Sequence, residues 1–302
     1  MTDDEFDELR PAAFAIAYRM LGSVSEAEDV VQEGFLRLHR ARAGGEQIES
    51  PRAYLSTVVW RLALDHLRSA AVQRETYVGE WLPEPLVASA EEDPARKAEM
   101  ADSLSLAFLV LLESLSPEQR AALLLRDVFD VPYERIAEIV GTSEQNARQL
   151  ATRARRHVQE RRPRFETSRA KQEELATRFF AAAEEGDLAG LEELLAHDVV
   201  LHGDGGGKAP AVARALHGRT KVARTLIGGL RVADRFVAYT RRAEVNGQPG
   251  ALFFDTEDRL IGVMSLDIAE GQVQGVSSIV NPDKLRHLGP VADLRALLRE
   301  RR

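Results

Sequence analysis

Three groups of side chains in this sequence have types and spacings that could do chemistry. Along the stretch from Glu144 to Glu160, Gln145, Gln149, Thr152 and Arg156 fall on one line at 100° per residue, flanked by Arg148 and Arg153. Amide and guanidinium groups in such a line match the donors and acceptors on base edges in a DNA major groove, and Arg155, Arg161, Arg162 and Arg164 beyond them suit phosphates. A second group, Trp60, Arg61, Leu64 and Arg68, shares the outer arc of a predicted helix. Rings stack on unpaired bases and guanidinium groups meet phosphates, so this arc reads as a surface for nucleic acid; the competing expectation is that Trp60 packs on a neighbouring helix. The third group is His202 and Asp204, two residues of types that can carry protons. Against that, Asp204 opens a glycine-rich loop, Asp204-Gly205-Gly206-Gly207-Lys208, where aspartate commonly caps a turn. The loop also lacks the spacing and helical context of a phosphate-binding P-loop.

The elements that must carry these groups can be read from periodicity and capping signals. Leu9 to Leu21 is an apolar-periodic helix ended by Gly22, and Ser25-x-x-Glu28 predicts a capping box opening the next, with Ala27, Val31, Phe35 and Leu38 inward and Asp29, Gln32, Glu33 and Arg40 outward. Gly44-Gly45 ends it, and Ser50-Pro51 starts a third helix that buries Leu55, Val58, Val59 and Leu62. Residues 75–100 are proline-rich and acidic and contain Trp81-Leu82-Pro83-Glu84-Pro85. This reads as a linker that docks somewhere, since a free linker gains nothing from tryptophan. A second capping box, Ser116-Pro117-Glu118-Gln119, precedes a helix, and Tyr133 to Val140, Gly141-Thr142-Ser143 and the helix from Glu144 form a helix-turn-helix, with Ala147, Leu150, Ala151, Ala154 and Val158 as its packing stripe. After Pro163 come helical stretches at 171–185 and 188–195, an apolar run at 199–203 and a helix near 220–226. Four β-like runs follow, at 235–245, 250–255, 260–268 and 272–280, with turn residues Asn246-Gly247, Glu257-Asp258 and Glu270-Gly271 between them. Helices followed by a meandering antiparallel sheet describe an α+β domain.

Composition narrows the function classes. A chain of 302 residues, 44% hydrophobic and 29% charged, has room for two or three domains and is neither collagenous nor low-complexity. It contains no cysteine, which removes disulfides, thiolate metal sites and thiol nucleophiles, and no metal-ligand cluster is evident. An acidic start, Met1-Thr2-Asp3-Asp4-Glu5, and the lack of a long apolar run predict a cytoplasmic protein with no membrane partner. The formal charge is −8, yet residues 141–164 hold seven arginines against two glutamates. One short basic block in an acidic chain is the pattern of a local polyanion contact.

Ala27-Glu28-Asp29-Val30-Val31-Gln32-Glu33, Asp65-His66-Leu67-Arg68 and Leu115-Ser116-Pro117-Glu118-Gln119-Arg120 with the helix-turn-helix resemble regions 2 and 4 of an extracytoplasmic-function (group 4) sigma factor. The remainder resembles a SnoaL-like domain. Trp81-Leu82-Pro83-Glu84-Pro85, Asp204-Gly205-Gly206-Gly207-Lys208 and Asn281-Pro282-Asp283-Lys284-Leu285 are similar to three motifs of the sigma factors that carry this fusion. The resemblance implies two all-α sigma modules, the second with the helix-turn-helix, then an α+β SnoaL-like cone-shaped domain with a curved antiparallel sheet. Its boundaries would be 1–74 for region 2, 75–102 for the linker, 103–164 for region 4, 170–289 for the SnoaL-like domain and 290–302 for a tail that is an amphipathic helix candidate.

The same resemblance implies that Asp29, Gln32 and Glu33 hold the clamp helices of core RNA polymerase. It places Trp60, Arg61, Asp65 and Arg68 at the minus-ten element of promoter DNA, where a base leaves the stack. Gln145, Arg148, Gln149, Thr152, Arg153 and Arg156 would read the minus-thirty-five element. Trp81, Pro83, Pro85, the Asp204–Lys208 loop and Asn281, Pro282, Asp283, Lys284 and Leu285 would form a regulatory interdomain contact. No cofactor, metal or catalytic residue is expected, although SnoaL-like domains resemble polyketide cyclases, whose pocket uses acid/base residues; this would make His202 and Asp204 a catalytic pair and leaves room for a small-molecule ligand. The alternative is a helix-turn-helix regulator, such as a repressor dimer, carrying a SnoaL-like enzyme or ligand-sensing domain.

Overall fold

A computed structural model describes residues 3–74, 77–88, 105–159 and 168–300. The chain divides into two compact units, Met1–Thr76 with Leu111–Arg162, and Tyr77–Val110 with Pro163–Arg302.

The first unit is helical. Helices α1 (Asp3–Leu21), α2 (Val24–Ala43) and α3 (Pro51–Arg74) pack on one another around Ile16, Met20, Val31, Phe35, Leu38, Leu55 and Val59. A Cβ at Gly34 would stand 3.1 Å from Leu55 and Val59, so glycine lets α2 and α3 approach closely. The cap of α2 is Ser23 and not Ser25: Gly22 ends α1 in the left-handed region, which places Ser23 in extended backbone where its Oγ accepts from the Glu26 amide at 3.2 Å. Glu28 is thereby freed to pair with Arg10 at 2.6 Å.

Helices α4 (Leu106–Glu113), α5 (Pro117–Asp127), α6 (Tyr133–Val140) and α7 (Glu144–Gln159) follow, and the boundary between the two units falls inside α4. The Ser116/Gln119 capping box forms as expected, at 3.2 and 3.1 Å. Gly141 ends α6 at φ 78°, and Ser143 caps α7 by accepting from the Asn146 amide. Ala147, Ala151, Ala154 and Val158 are buried; small residues there let α7 lie close on α5 and α6.

In the second unit, α8 (Arg169–Glu185), α9 (Leu188–Leu194) and α10 (Arg219–Ala233) pack on a six-stranded sheet. Its strands are β1 (Leu195–Asp204), β2 (Leu216–His217), β3 (Tyr239–Val245), β4 (Gln248–Phe254), β5 (Leu260–Ala269) and β6 (Gln272–Ile279), in the order β2-β1-β6-β5-β4-β3. The sheet is mixed, not wholly antiparallel: β1 and β6 run parallel, because the chain between them passes through α10 and the β3–β5 meander before returning beside β1. The remaining pairs are antiparallel, and Asn246-Gly247 and Glu270-Gly271 turn two hairpins with positive φ at both positions. The strand expected from 235 begins at Tyr239, since Phe236 closes the turn after α10 and packs with Ile261 and Leu294.

One sheet face and the helices bury Phe179, Leu201, Met264, Leu266 and Val276. The opposite face buries Leu252, Phe254, Val263 and Ile279 against Leu82, Leu106 and Leu285. The sequence before α5 thus supplies part of the second unit's core. Helix α11 (Leu294–Glu300) lies within the expected tail helix and packs through Leu294, Leu297 and Leu298.

Candidate nucleic-acid interface and linker clasp

The outer face of α7 is built as the sequence predicts. Gln145, Arg148, Gln149, Thr152, Arg153 and Arg156 are all exposed on the side opposite the buried alanines. Arg148 pairs with Glu144 one turn earlier at 2.5 Å, and its guanidinium lies over the Tyr133 ring at 4.5 Å. The Thr152 hydroxyl donates to the Arg148 carbonyl at 2.7 Å. Arg155 departs from its expected phosphate role, because Asp127 binds it through two hydrogen bonds of 2.9 and 2.5 Å that raise its pKa and tie α7 to α5. Arg161, Arg162 and Arg164 lie outside the described residues.

On the α3 arc the competing expectation holds for Trp60, which packs on a neighbouring element and is not on the surface. Arg61, Asp65 and Arg68 are exposed, but Trp60 is only 2% exposed and Leu64 1%. Trp60 meets the Phe129 ring edge to face, centroids 5.3 Å apart. Helix α3 has apolar side chains almost all round, because α1 and α2 cover one side and α5 and α6 the other. Periodicity within α3 finds the first side only. On α2, Asp29 and Gln32 are exposed, and Glu33 accepts from Arg37 at 2.8 Å, which lowers the Glu33 pKa.

The Trp81 linker, the glycine loop and the Asn281 segment come together in the second unit as a clasp. Asp204 is fully buried and its carboxylate accepts four hydrogen bonds: from the Tyr77 hydroxyl at 2.6 Å, the Gly206 amide at 2.9 Å, the Leu82 amide at 2.9 Å and the Lys284 ammonium at 2.7 Å. Lys284 also donates to the Leu82 carbonyl and lies 4.0 Å from the Trp81 ring centroid. The Asn281 side chain donates to the Tyr77 hydroxyl at 2.8 Å and accepts from the Asp283 amide. A Cβ on Gly206, at φ 55°, would stand 2.2 Å from the Asn281 amide nitrogen, and one on Gly205 would stand 2.0 Å from the Ala209 carbonyl. The glycines are therefore required by closeness and backbone shape. Lys208 pairs with Asp283, and Pro83, Pro85 and Leu285 are buried. Burial and the Asp204 hydrogen bond push the Tyr77 hydroxyl pKa upward.

Sequence reading passes over Tyr77, Glu80, Leu86 and His287, and takes Asn246 only as a turn residue. Glu80 accepts at 2.6 Å from His202 Nδ1, His287 Nε2 meets the Pro85 carbonyl at 2.8 Å, and Asn246 exchanges two hydrogen bonds with Leu86 at 2.7 and 2.8 Å. Of these, only the acidic and proline-rich composition around Glu80 gave a signal. His202 is bound to Glu80, and Asp204 is occupied by four donors, so the two do not meet as an acid/base pair. Among the described residues no cluster of three metal-ligating side chains occurs, and no helix is long and apolar enough to cross a membrane.

Comparison with known proteins places this geometry. Residues 6–72 match the model of sigma-70 region 2, and residues 105–158 match sigma-70 region 4. The chain is 39% identical over 305 aligned residues to the ECF RNA polymerase sigma factor SigJ of Mycobacterium tuberculosis, covering 98% of this chain and 96% of that protein. It is 33% identical to the probable ECF RNA polymerase sigma factor SigI of the same organism, covering 89% and 90%. The crystal structure of M. tuberculosis SigJ superposes with a TM-score of 0.76 at 37% identity, covering 94% of this chain and 98% of that one, so the helix-plus-sheet domain is part of the shared fold. With both sigma-70 regions matched and an ECF sigma factor 39% identical over 98% of the chain, the chain belongs to the extracytoplasmic-function RNA polymerase sigma factors.

Proposed function

We propose that the protein carries core RNA polymerase to a specific promoter class and that its C-terminal domain regulates this step through the linker clasp. Residues 1–74 and 103–164 act as the region 2 and region 4 modules, 75–102 as the linker, 170–289 as the SnoaL-like regulator and 290–302 as its tail. The exposed amide and guanidinium array on α7 carries the reading. Gln145, Arg148, Gln149 and Thr152 contact base edges of the minus-thirty-five element, while Arg153 and Arg156 contact phosphates. Arg61, Asp65 and Arg68, with Trp60 once it is uncovered, act at the minus-ten element. Asp29, Gln32 and Glu33 present an acidic face to the polymerase clamp helices.

The regulator acts on reach. Two DNA-binding modules on a tether gain from simultaneous engagement only if the tether spans their sites, and the clasp takes residues 77–88 out of the free tether. A signal that favours the unclasped arrangement lengthens the tether by those residues. Run-off transcription with bacterial core polymerase, comparing the full chain with a version ending at Thr167, tests both statements. Transcripts that depend on the protein support promoter selection, and a different yield from the two forms supports regulation. No transcript from either form across a promoter library refutes the reading.

A further inference from the structure

We propose that region 4 stands in for the separated DNA strand on region 2, with Phe129 in the place of an unstacked base against Trp60. Acceptor oxygens of α5 and α6 take the places of phosphates for Arg61 and Arg68. The inference rests on the assignment of α3 to promoter opening and concerns only the first unit.

The residues that would handle a melted strand are occupied by groups of the same chemistry. Phe129 leaves the loop between α5 and α6 and meets the Trp60 indole edge to face at 5.3 Å, with the Arg19 guanidinium over its ring at 5.4 Å. An aromatic side chain and a guanidinium are the groups that receive unpaired bases on proteins that bind single strands, and here a phenyl ring occupies both. Arg61 donates to the Glu138 carbonyl at 3.4 Å, and Arg68 to the Val140 carbonyl at 3.5 Å. Both carbonyls belong to the last turn of α6, where helix ends carry negative partial charge and lack intrahelical partners. Arg68 also pairs with the Glu118 carboxylate at 3.0 Å. Arg135 reaches back from α6 to the Thr57 hydroxyl at 2.9 Å.

A ring for the indole and anionic or carbonyl oxygens for the two arginines together imitate a base with its flanking phosphates. This closed arrangement and a bound strand exclude each other, because both need the same faces of Trp60, Arg61 and Arg68. The polar contacts of Arg61, Arg68 and Arg135 are long or exposed and separate at little cost, whereas the buried Arg120 guanidinium donates to the Met20 carbonyl at 2.7 Å and is the bond that opening must break. A partner that holds regions 2 and 4 apart therefore favours the open state in proportion to its preference for it. Polymerase spanning both modules would be such a partner.

The chain contains no cysteine, so in Thr57→Cys/Arg135→Cys protein a short bismaleimide joins only those two positions. The linked protein is expected to yield about ten-fold less run-off transcript than the same protein unlinked, while single-cysteine proteins given the same reagent are unaffected. Equal yields from linked and unlinked protein overturn the inference. Failure of the sigma-factor reading shows differently, as no transcript from wild-type protein at any promoter.

A second measurement needs no polymerase. In Trp81→Phe protein, Trp60 is the remaining tryptophan, and acrylamide should quench it poorly. Phe129→Ser should expose it and strengthen binding of a fluorescein-labelled random single strand, on the order of a dozen nucleotides long, by about ten-fold. Arg135→Ala, at an exposed position, should move both readouts the same way by a smaller factor even if Phe129→Ser fails to fold. Unchanged quenching and unchanged strand binding in both variants would sink the proposal.

Discussion

Asp204 and Lys284 show how one pair of residues can hold a linker. Each is buried, and each spends its charge on the other and on the backbone of Leu82. Removing one partner from a buried pair leaves an uncompensated charge, which costs about 3–5 kcal/mol. Asp204→Asn should therefore lower the stability of the second unit by that amount in urea unfolding followed by Trp81 fluorescence. Lys284→Met on top of it should recover part of the loss, a coupling that a double-mutant cycle reads directly. Tyr77 sets a pH dependence of definite sign. Its folded pKa is raised, so its contribution is fully present below the ordinary tyrosine value of about 10 and is lost as pH rises above it. Clasp stability measured from neutral pH upward should fall beyond that point in the wild type, and Tyr77→Phe should flatten the fall.

At the scale of elements, α6, its turn and α7 are the best-specified part of the chain. Gly141 adopts φ 78° with nothing within 4 Å of where a Cβ would be, so Gly141→Ala tests backbone strain alone. It should cost about 1–2 kcal/mol in a thermal melt and leave the α7 face intact. Gln149 is exposed and supports no packing, so Gln149→Ala should leave the melt unchanged while lowering promoter-specific binding by about 1–3 kcal/mol. A melt displaced together with binding would instead assign Gln149 to structure. Arg153→Ala should weaken binding to all sequences alike and reduce the salt slope by about one unit.

For the whole molecule, the instructive feature is that a linker segment folds with a domain distant in sequence. Leu82 and Leu106 sit in one apolar cluster with β4, β5 and β6, although about 140 to 200 residues separate them from those strands in the chain. Leu82→Asp should expel the linker, because an unpaired carboxylate cannot be accommodated on that sheet face. Limited proteolysis within 77–88 should then become fast, and run-off yield from full-length protein should approach that of the form ending at Thr167. Slow proteolysis of Leu82→Asp, or a yield unlike the truncated form, would separate the clasp from regulation.

The order of helices, the helix-turn-helix, the two hairpin turns and the exposed α7 array were legible in the sequence because each depends on residues within a few positions of one another. Capping, glycine at positive φ and 3.6-residue periodicity are local, and Ser116, Gly141, Asn246 and the buried alanines of α7 all behave as that grammar predicts. The α2 cap moved by two residues because Ser23 and Ser25 both satisfy the local rule, and only the left-handed Gly22 chooses between them. The parallel β1/β6 pair, the burial of Trp60 on Phe129 and the pairing of Glu80 with His202 were not legible. These contacts join residues tens to more than a hundred positions apart. The outward Trp60 raised packing of the second α3 face as one of two expectations, but nothing in the local pattern decides between them or names Phe129 as the partner, and nothing in Pro-rich composition says which carboxylate or amide will receive the linker. The sequence by itself determined which elements form and which chemistry each carries; the tertiary structure decided which of those faces remain available, because burial is a property of pairs of elements and not of either one alone.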